Sequence, residues 1–237
     1  MPRQGNSSVE SLMAKSFVLV TGGSGGIGSE VCRLLPKAGL FPIVGFNLNQ
    51  ASAEVIAIET GGIALHMDMN SEASISNSIT ELKSVLGVND SVVGVVLGAS
   101  PPPDILPFSK LSAYHYTHQF QVNVIGPQIL LTALIKNFFS RNKIGTIVGI
   151  LSKAIGVDNQ LPSPGMCSYV VAKMALKGLI AGCAVEYPWV RTATVSPGFT
   201  NTKMLQVFDP RYLELAQKKS KFTNPSEVAR NIVEKFQ

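Results

Sequence analysis

Charge is scarce in this sequence: Asp, Glu, Lys and Arg together make up 15% of the 237 residues, and aromatics 7%, with a single Trp. Apolar residues supply 46%. That balance excludes a disordered chain and points to a well-buried globular protein. Long apolar runs are missing too, since none reaches the roughly 18 uninterrupted residues that a membrane helix needs. The polar stretch 1–16 holds no apolar segment of signal-peptide type. Residues 1–15 therefore read as a mobile leader, ahead of one domain over 16–237. The cysteines number three, Cys32, Cys167 and Cys183, without paired spacing. Neither a disulfide framework nor a zinc site is indicated, and a reducing, cytoplasmic setting follows. His66, His115 and His118 are too scattered for a metal centre.

The positive excess of +5 is not gathered into a run. Its densest patch, Lys218-Lys219-Ser220-Lys221, reads as a solvated helix end rather than a nucleic-acid surface. Nucleic acid and membrane are thus not expected partners, whereas a mild positive balance suits a phosphate-bearing cofactor. The length accommodates one α/β domain with a sizeable core and is short for two.

What the chain does contain is alternation. Strand patterns at 17–20, 41–46, 63–67, 91–98, 144–151 and 190–195 are separated by helical patterns at 29–38, 50–59, 71–86, 111–140 and about 164–186. Two more helices are expected at 201–219 and 225–236, the second capped by Asn224 or Ser226. Such alternation specifies a doubly wound parallel sheet with helices on both faces, a Rossmann-like α/β fold. The fourth strand is almost wholly apolar, as a doubly buried parallel strand should be. Ligands of such sheets sit beyond the carboxyl ends of the strands. Residues 21–28, Asp68, 98–100, Ser152 and 197–202 all fall there.

The first of these, Thr21-Gly22-Gly23-Ser24-Gly25-Gly26-Ile27-Gly28, lies between a strand and a helix. That context lets a dinucleotide pyrophosphate meet a tight backbone turn and a helix N-terminus. A second motif is Tyr169-Val170-Val171-Ala172-Lys173. Four residues apart on a helix, a phenol and an ammonium share a face. The cation favours the phenolate, so the pair can do acid–base work on an alcohol or carbonyl. By itself the motif is common, and an exposed Tyr/Lys pair is its bland reading. Its meaning comes from the company of Ser152 and the glycine turn.

Taken in order, these residues resemble the classical short-chain dehydrogenase/reductase family over about 17–235. Gly22, Gly26 and Gly28 match its cofactor turn, with Ser24 and Ile27 inside it. Asp68, followed by Met69, matches the acidic residue at the adenine, and Asn123 the Asn of the long central helix. Ser152, Tyr169 and Lys173 match the catalytic set, and Pro197, Gly198, Thr200 and Thr202 the segment beside the nicotinamide. The resemblance implies that Tyr169 exchanges a proton with the substrate oxygen while hydride moves to or from the nicotinamide. Ser152 would position that oxygen, Lys173 would lower the Tyr pKa and bind the ribose, and Asn123 would hold a relay water.

The chain also departs from the family. Leu97-Gly98-Ala99-Ser100 stands where Asn-Asn-Ala-Gly is usual, keeping small residues, with Gly98 and Ala99 beside the cofactor. The loop before Tyr169 is enlarged. The sequence stops at Gln237 without the usual last strand, so six strands are expected and one familiar route to a tetramer is removed. A homodimer or tetramer is expected instead through the apolar helices at 111–140 and 164–186.

The position that selects NAD by a carboxylate falls near Asn47, which carries none. No Lys or Arg occurs between Lys37 and Lys83, yet Asn47 or Ser24 can bond a 2′-phosphate, so NADP(H) is favoured over NAD(H). Segments 100–107, 153–166 and 199–208 should line an apolar pocket, with residues such as Leu161, Met166 and Phe208 and with Lys153 and Lys203 nearby. The expected reaction is NADPH-linked reduction of a small or acyl-type carbonyl. A non-catalytic NAD(P)-binding regulator and a sugar-nucleotide epimerase or dehydratase are the alternatives.

Overall fold

The computed structural model describes residues 14–156 and 160–237. The expected leader lies almost wholly outside them, as does part of the enlarged loop. Six parallel strands form one sheet in the order β3-β2-β1-β4-β5-β6: β1 (Ser16–Thr21), β2 (Phe41–Phe46), β3 (Ile63–His66), β4 (Ser91–Leu97), β5 (Gly145–Ile150) and β6 (Val190–Val195). This is the six-stranded Rossmann-like sheet read from the sequence. Its strand order reverses between β1 and β4, the switch point at which such sheets bind ligands. Register aligns the carboxyl ends there, Thr21 opposite both Gly45 and Leu97, and Leu97 opposite Gly149.

Helices α1 (Gly26–Leu34), α2 (Gln50–Thr60) and α9 (Pro225–Val233) cover one face, where Val18, Val20, Val31, Val44 and Ile232 form a core. The other face carries α3 (Glu72–Val85), α4 (Ala113–Phe120), α5 (Gly126–Leu134) and α7 (Cys167–Glu186) over Leu19, Leu65, Leu97, Leu130 and Ile147. Each such Leu or Ile contributes about 1.5–3 kcal/mol by leaving water. Between and after α4 and α5, Gln121–Ile125 and Ile135–Phe139 widen into π turns, and the short α6 (Ser140–Asn142) ends the rod.

Local chemistry sets the ends of these elements. Asn49 and Ser71 cap α2 and α3 by accepting from the backbone N–H of Ser52 and Ser74. Gly39 and Gly61 stop their helices at φ 74° and 64°, where a side chain would be strained. One expected helix is divided. Residues 201–219 form a 3₁₀ turn, Lys203–Val207, and then a separate α8 (Pro210–Lys219). Pro210 cannot donate to a preceding turn, and Asp209 caps the new helix through bonds from Arg211 N (2.8 Å) and Tyr212 N (3.2 Å). Asn224 caps α9 by position only, without a side-chain bond.

The rod Ala113–Asn142 and helix Cys167–Glu186 are long and apolar enough to cross a membrane, although polar residues interrupt both. Half of the first and 39% of the second, over their most apolar windows, are buried in this fold. Their outer faces retain Tyr114, Ile125, Met174 and Val185 in the open.

Candidate active site

The site begins where β1 ends. Gly22 takes φ 69°, and Gly25 N closes the turn on Gly22 O at 2.9 Å. A side chain at Gly28 would collide with the Gly22 carbonyl, and one at Gly26 would stand 2.5 Å from Thr202 Cγ2. At Gly26 and Gly28, therefore, nothing larger fits. Gly25, at the N-cap of α1, places no side-chain capping bond on the first helical N–H groups. Open N–H groups at the positive end of a nine-residue helix suit a phosphate anion.

Thr21, read in the sequence only as the start of the glycine turn, has a role there that the sequence reading did not foresee. Its hydroxyl donates to Val96 O (3.3 Å) and accepts from Gly98 N (3.0 Å) and Ala99 N (3.1 Å). One hydroxyl thereby locks the segment after β4 against the glycine turn. A Cβ on Gly22 would lie 3.1 Å from Ala99 Cα and one on Gly98 2.9 Å from Thr21 O, so both glycines sit where backbone passes close. The available signal was a hydroxyl residue at a strand end directly ahead of glycines.

Other expected contacts fall around this turn. Asp68 Oδ1 accepts from Asn70 N (2.9 Å) and Asn70 Nδ2 (3.2 Å), an arrangement that holds its carboxylate at the end of β3. Met69 is buried at 4% exposure and abuts Gly126, where any side chain would strike its carbonyl. Ser24 and Ile27 are half-buried, and Asn47 is exposed just beyond β2. On the far side, Lys153 N donates to Pro197 O (2.9 Å) and Thr200 Oγ1 to Gly198 O (3.1 Å). Thr202 packs over Gly26, which brings the segment after β6 onto the turn after β1.

The three residues expected to be catalytic, Ser152, Tyr169 and Lys173, come together between these two segments. Tyr169 and Lys173 lie on the inner face of α7, 7% and 2% exposed. Lys173 Nζ donates to Ile150 O at 3.0 Å and sits 5.6 Å from the centre of the Tyr169 ring. Ser152, two residues beyond β5, accepts from Ala154 N at 3.1 Å and lies near enough to Tyr169 to pull its pKa down.

The electrostatics differ from the expectation. Burial raises the Tyr169 pKa, and Ser152, rather than Lys173, opposes that rise. Lys173 is itself brought down to about 7 by desolvation, because its ammonium is fully enclosed. The phenol is therefore a protonated donor at neutral pH, beside a lysine that titrates there.

Asn123 occupies the middle of the first π turn, with no exposure. Its Nδ2 donates to Gln119 O (3.0 Å) and Gln119 Oε1 (3.1 Å). Its Oδ1 is the only fully buried side-chain N or O among the described residues without a partner. Not every expected pocket residue faces the site: Leu161 is 90% exposed, whereas Met166 is packed inside. Phe199, Phe208 and Tyr212 form an aromatic cluster where 3₁₀ turn and α8 meet, with Phe199 and Phe208 at 5.4 Å.

A bare glycine turn at a helix N-terminus, with a buried phenol and a buried lysine on the inner face of α7, is the kind of arrangement a dinucleotide-dependent oxidoreductase needs. Comparison agrees: the short chain dehydrogenase family model matches residues 16–212. The chain belongs to the short-chain dehydrogenase/reductase family, enzymes that act on CH–OH and C=O groups with NAD(P). It is 29% identical over 195 residues to a 2,5-dichloro-2,5-cyclohexadiene-1,4-diol dehydrogenase of Sphingobium indicum, covering 80% of this chain and 74% of that one. It is 27% identical to a Bos taurus 3-oxoacyl-[acyl-carrier-protein] reductase, covering 90% and 88%. A Brucella melitensis 3-ketoacyl-(acyl-carrier-protein) reductase complexed with NADH superposes with TM-score 0.80 at 20% identity, over 92% and 89% of the two chains. That last likeness is one of fold.

Proposed function

We propose that this enzyme reduces a small or acyl-type carbonyl to an alcohol with NADPH, Tyr169 serving as the acid. The observation that carries this reading is the buried phenol of Tyr169, with Ser152 beside it and Lys173 Nζ 5.6 Å from its ring centre. A phenol whose pKa is raised by burial holds its proton at neutral pH, which favours delivery to a substrate oxygen. Ser152 bonds the same oxygen and fixes its position, and Lys173, tied to Ile150 O, keeps its place behind the ring. The nicotinamide supplies the hydride when bound. Residues 22–28, Asp68, Gly98, Ala99 and 197–202 would hold the dinucleotide, with Ser24 and Asn47 at the ribose.

Preference for NADP(H) rests on the absence of a carboxylate at residues 45–49 after β2, where Asn47 stands exposed and free of like-charge repulsion toward a 2′-phosphate. An acid-bearing carbonyl, such as an acyl thioester or keto acid, fits Lys153, whose Cδ lies 3.6 Å from the Cβ position of Gly198 and whose residue is exposed. The likeness to an oxoacyl reductase points the same way. The free thiols suit a reducing compartment such as the cytoplasm. A second copy of the chain is the partner proposed for the apolar outer faces of α4 and α7.

The test is oxidation of NADPH and of NADH against a panel of acetoacetyl thioesters, keto acids and neutral ketones. Turnover is expected, with a lower KM for NADPH and better rates for acid-bearing substrates. Tyr169→Phe should reduce kcat by about 10²-fold or more while cofactor binding persists. Tight binding of cofactor with no turnover on any member of the panel would leave a regulatory nucleotide-binding protein instead.

A further inference from the structure

Gln119 has no part in the catalytic set, yet it is completely buried and bonded at both ends of its amide. Its Nε2 donates to Pro102 O at 2.8 Å, and its Oε1 accepts from Asn123 Nδ2 at 3.1 Å. These directions are dictated by chemistry. A backbone carbonyl can only accept, so Gln119 must turn its nitrogen to Pro102 and its oxygen toward Asn123. That oxygen and the Gln119 carbonyl both require a donor, so Asn123 must turn its nitrogen toward them. The Asn123 oxygen is thereby turned away from Gln119, to a buried position where it has no partner. A buried unpaired acceptor is unfavourable by about 1–3 kcal/mol, so a freely turning amide would not rest in that orientation.

Pro102 belongs to the loop after β4, within the 100–107 segment expected to line the substrate pocket. The same loop is fastened to the start of α7 by Ser168 Oγ donating to Asp104 Oδ2 (3.3 Å) and Leu106 N donating to Gly165 O (2.9 Å). Gln119 therefore connects that loop to the orientation of the asparagine amide. The widened π turn at Gln121–Ile125 gives Asn123 the room to reach back a full turn.

We propose that Gln119 is a positioning residue: anchored on the Pro102 carbonyl, it holds the Asn123 amide with its oxygen presented to a hydrogen-bond donor, a water or hydroxyl entering with the ligands. The inference rests on the reductase reading for its kinetic consequence but not for the geometry itself.

Two substitutions separate positioning from mere packing. Gln119→Met fills the space but can neither hold Asn123 nor grip Pro102, and it should lower kcat about tenfold with the KM for NADPH unchanged. Gln119→Glu can do both only while its carboxyl is protonated. Its rate relative to the parent enzyme should therefore recover toward low pH and fall as that carboxyl ionises, with folding verified by circular dichroism at each pH. The Asn123 side-chain amide protons, followed by ¹⁵N NMR, should be slow to exchange in the parent and fast in Gln119→Met. Equal, pH-independent losses in both variants, with unchanged amide exchange, would overturn the proposal. Should the parent enzyme reduce no carbonyl at all, the reductase reading falls, and the exchange of the Asn123 amide alone then decides whether Gln119 holds it.

Discussion

Lys173 is the residue whose ionisation most couples the site to the stability of the fold. Its pKa of about 7 in the folded chain lies below its ordinary 10.5 because burial disfavours the ammonium. Below about pH 7 both folded and unfolded chains hold the proton and the burial penalty is felt in full. Between about 7 and 10.5 the unfolded chain holds the proton and the folded one releases it, so stability rises with pH through this window. One proton limits the slope to about 1.4 kcal/mol per pH unit. Tyr169 acts in the opposite sense but only above its ordinary 10, where the folded chain retains a proton that the unfolded chain loses. Chemical denaturation should show the rise in stability between pH 7 and 9, and Lys173→Met should flatten it. A flat profile in the parent would mean that the lysine is hydrated in solution. Cys32, raised to about 12 by burial, should stay unreactive toward thiol reagents in the native protein, in keeping with its place in the core under α1.

At the scale of elements, the glycine turn and the helix ends obey different constraints that a single substitution can tell apart. Gly28 is fixed by contact, because a methyl group would meet the Gly22 carbonyl. Gly39 is fixed by conformation, since φ is 74° but nothing lies within 4 Å of the added atom. Gly39→Ala should destabilise the fold by about 1–2 kcal/mol and leave cofactor affinity intact. Gly28→Ala should instead weaken NADPH binding, measured by fluorescence titration, by more than about tenfold, because the turn must open for the methyl group. Equal effects of the two on binding would show that the turn is not where the dinucleotide lies. The divided α8 carries the same lesson: an apolar pattern continues through 203–219, but Asp209 and Pro210 end one helical segment and start another.

At the scale of the whole molecule, α4 and α7 pack side by side and expose a shallow apolar depression of about 430 Å³, lined by Tyr116, Phe120, Ile125 and Val171 among others. If a second copy covers it, light scattering should report a dimer or larger assembly, and Val171→Glu should shift it toward the monomer by burying an unpaired charge. A monomeric parent would remove this face as a subunit contact. β6 stands at the open edge of the sheet, with Arg191 held across it by Thr146 Oγ1 (3.2 Å) and the Phe236 carbonyl (3.2 Å).

Strands and helices were legible because each carries its own period and its own stops. The apolar run of 91–97, the glycines after 21 and the Tyr-x-x-x-Lys spacing needed only local chemistry to be read, and residue by residue they led to a doubly wound sheet and to the family. The pairing of segments distant in the chain was not legible. Thr21 reaches Gly98 and Ala99, and Thr202 seals Gly26, only because the parallel order of the strands brings their ends to one edge. The pKa values belong to that second category as well. Spacing on a helix placed an ammonium near the phenol, but how far burial disfavours each charged form depends on what the fold packs around it, and here desolvation is the leading cause of both shifts. Periodicity is a property of a short segment, which the chain carries by itself; burial and long-range contact are properties of the closed fold.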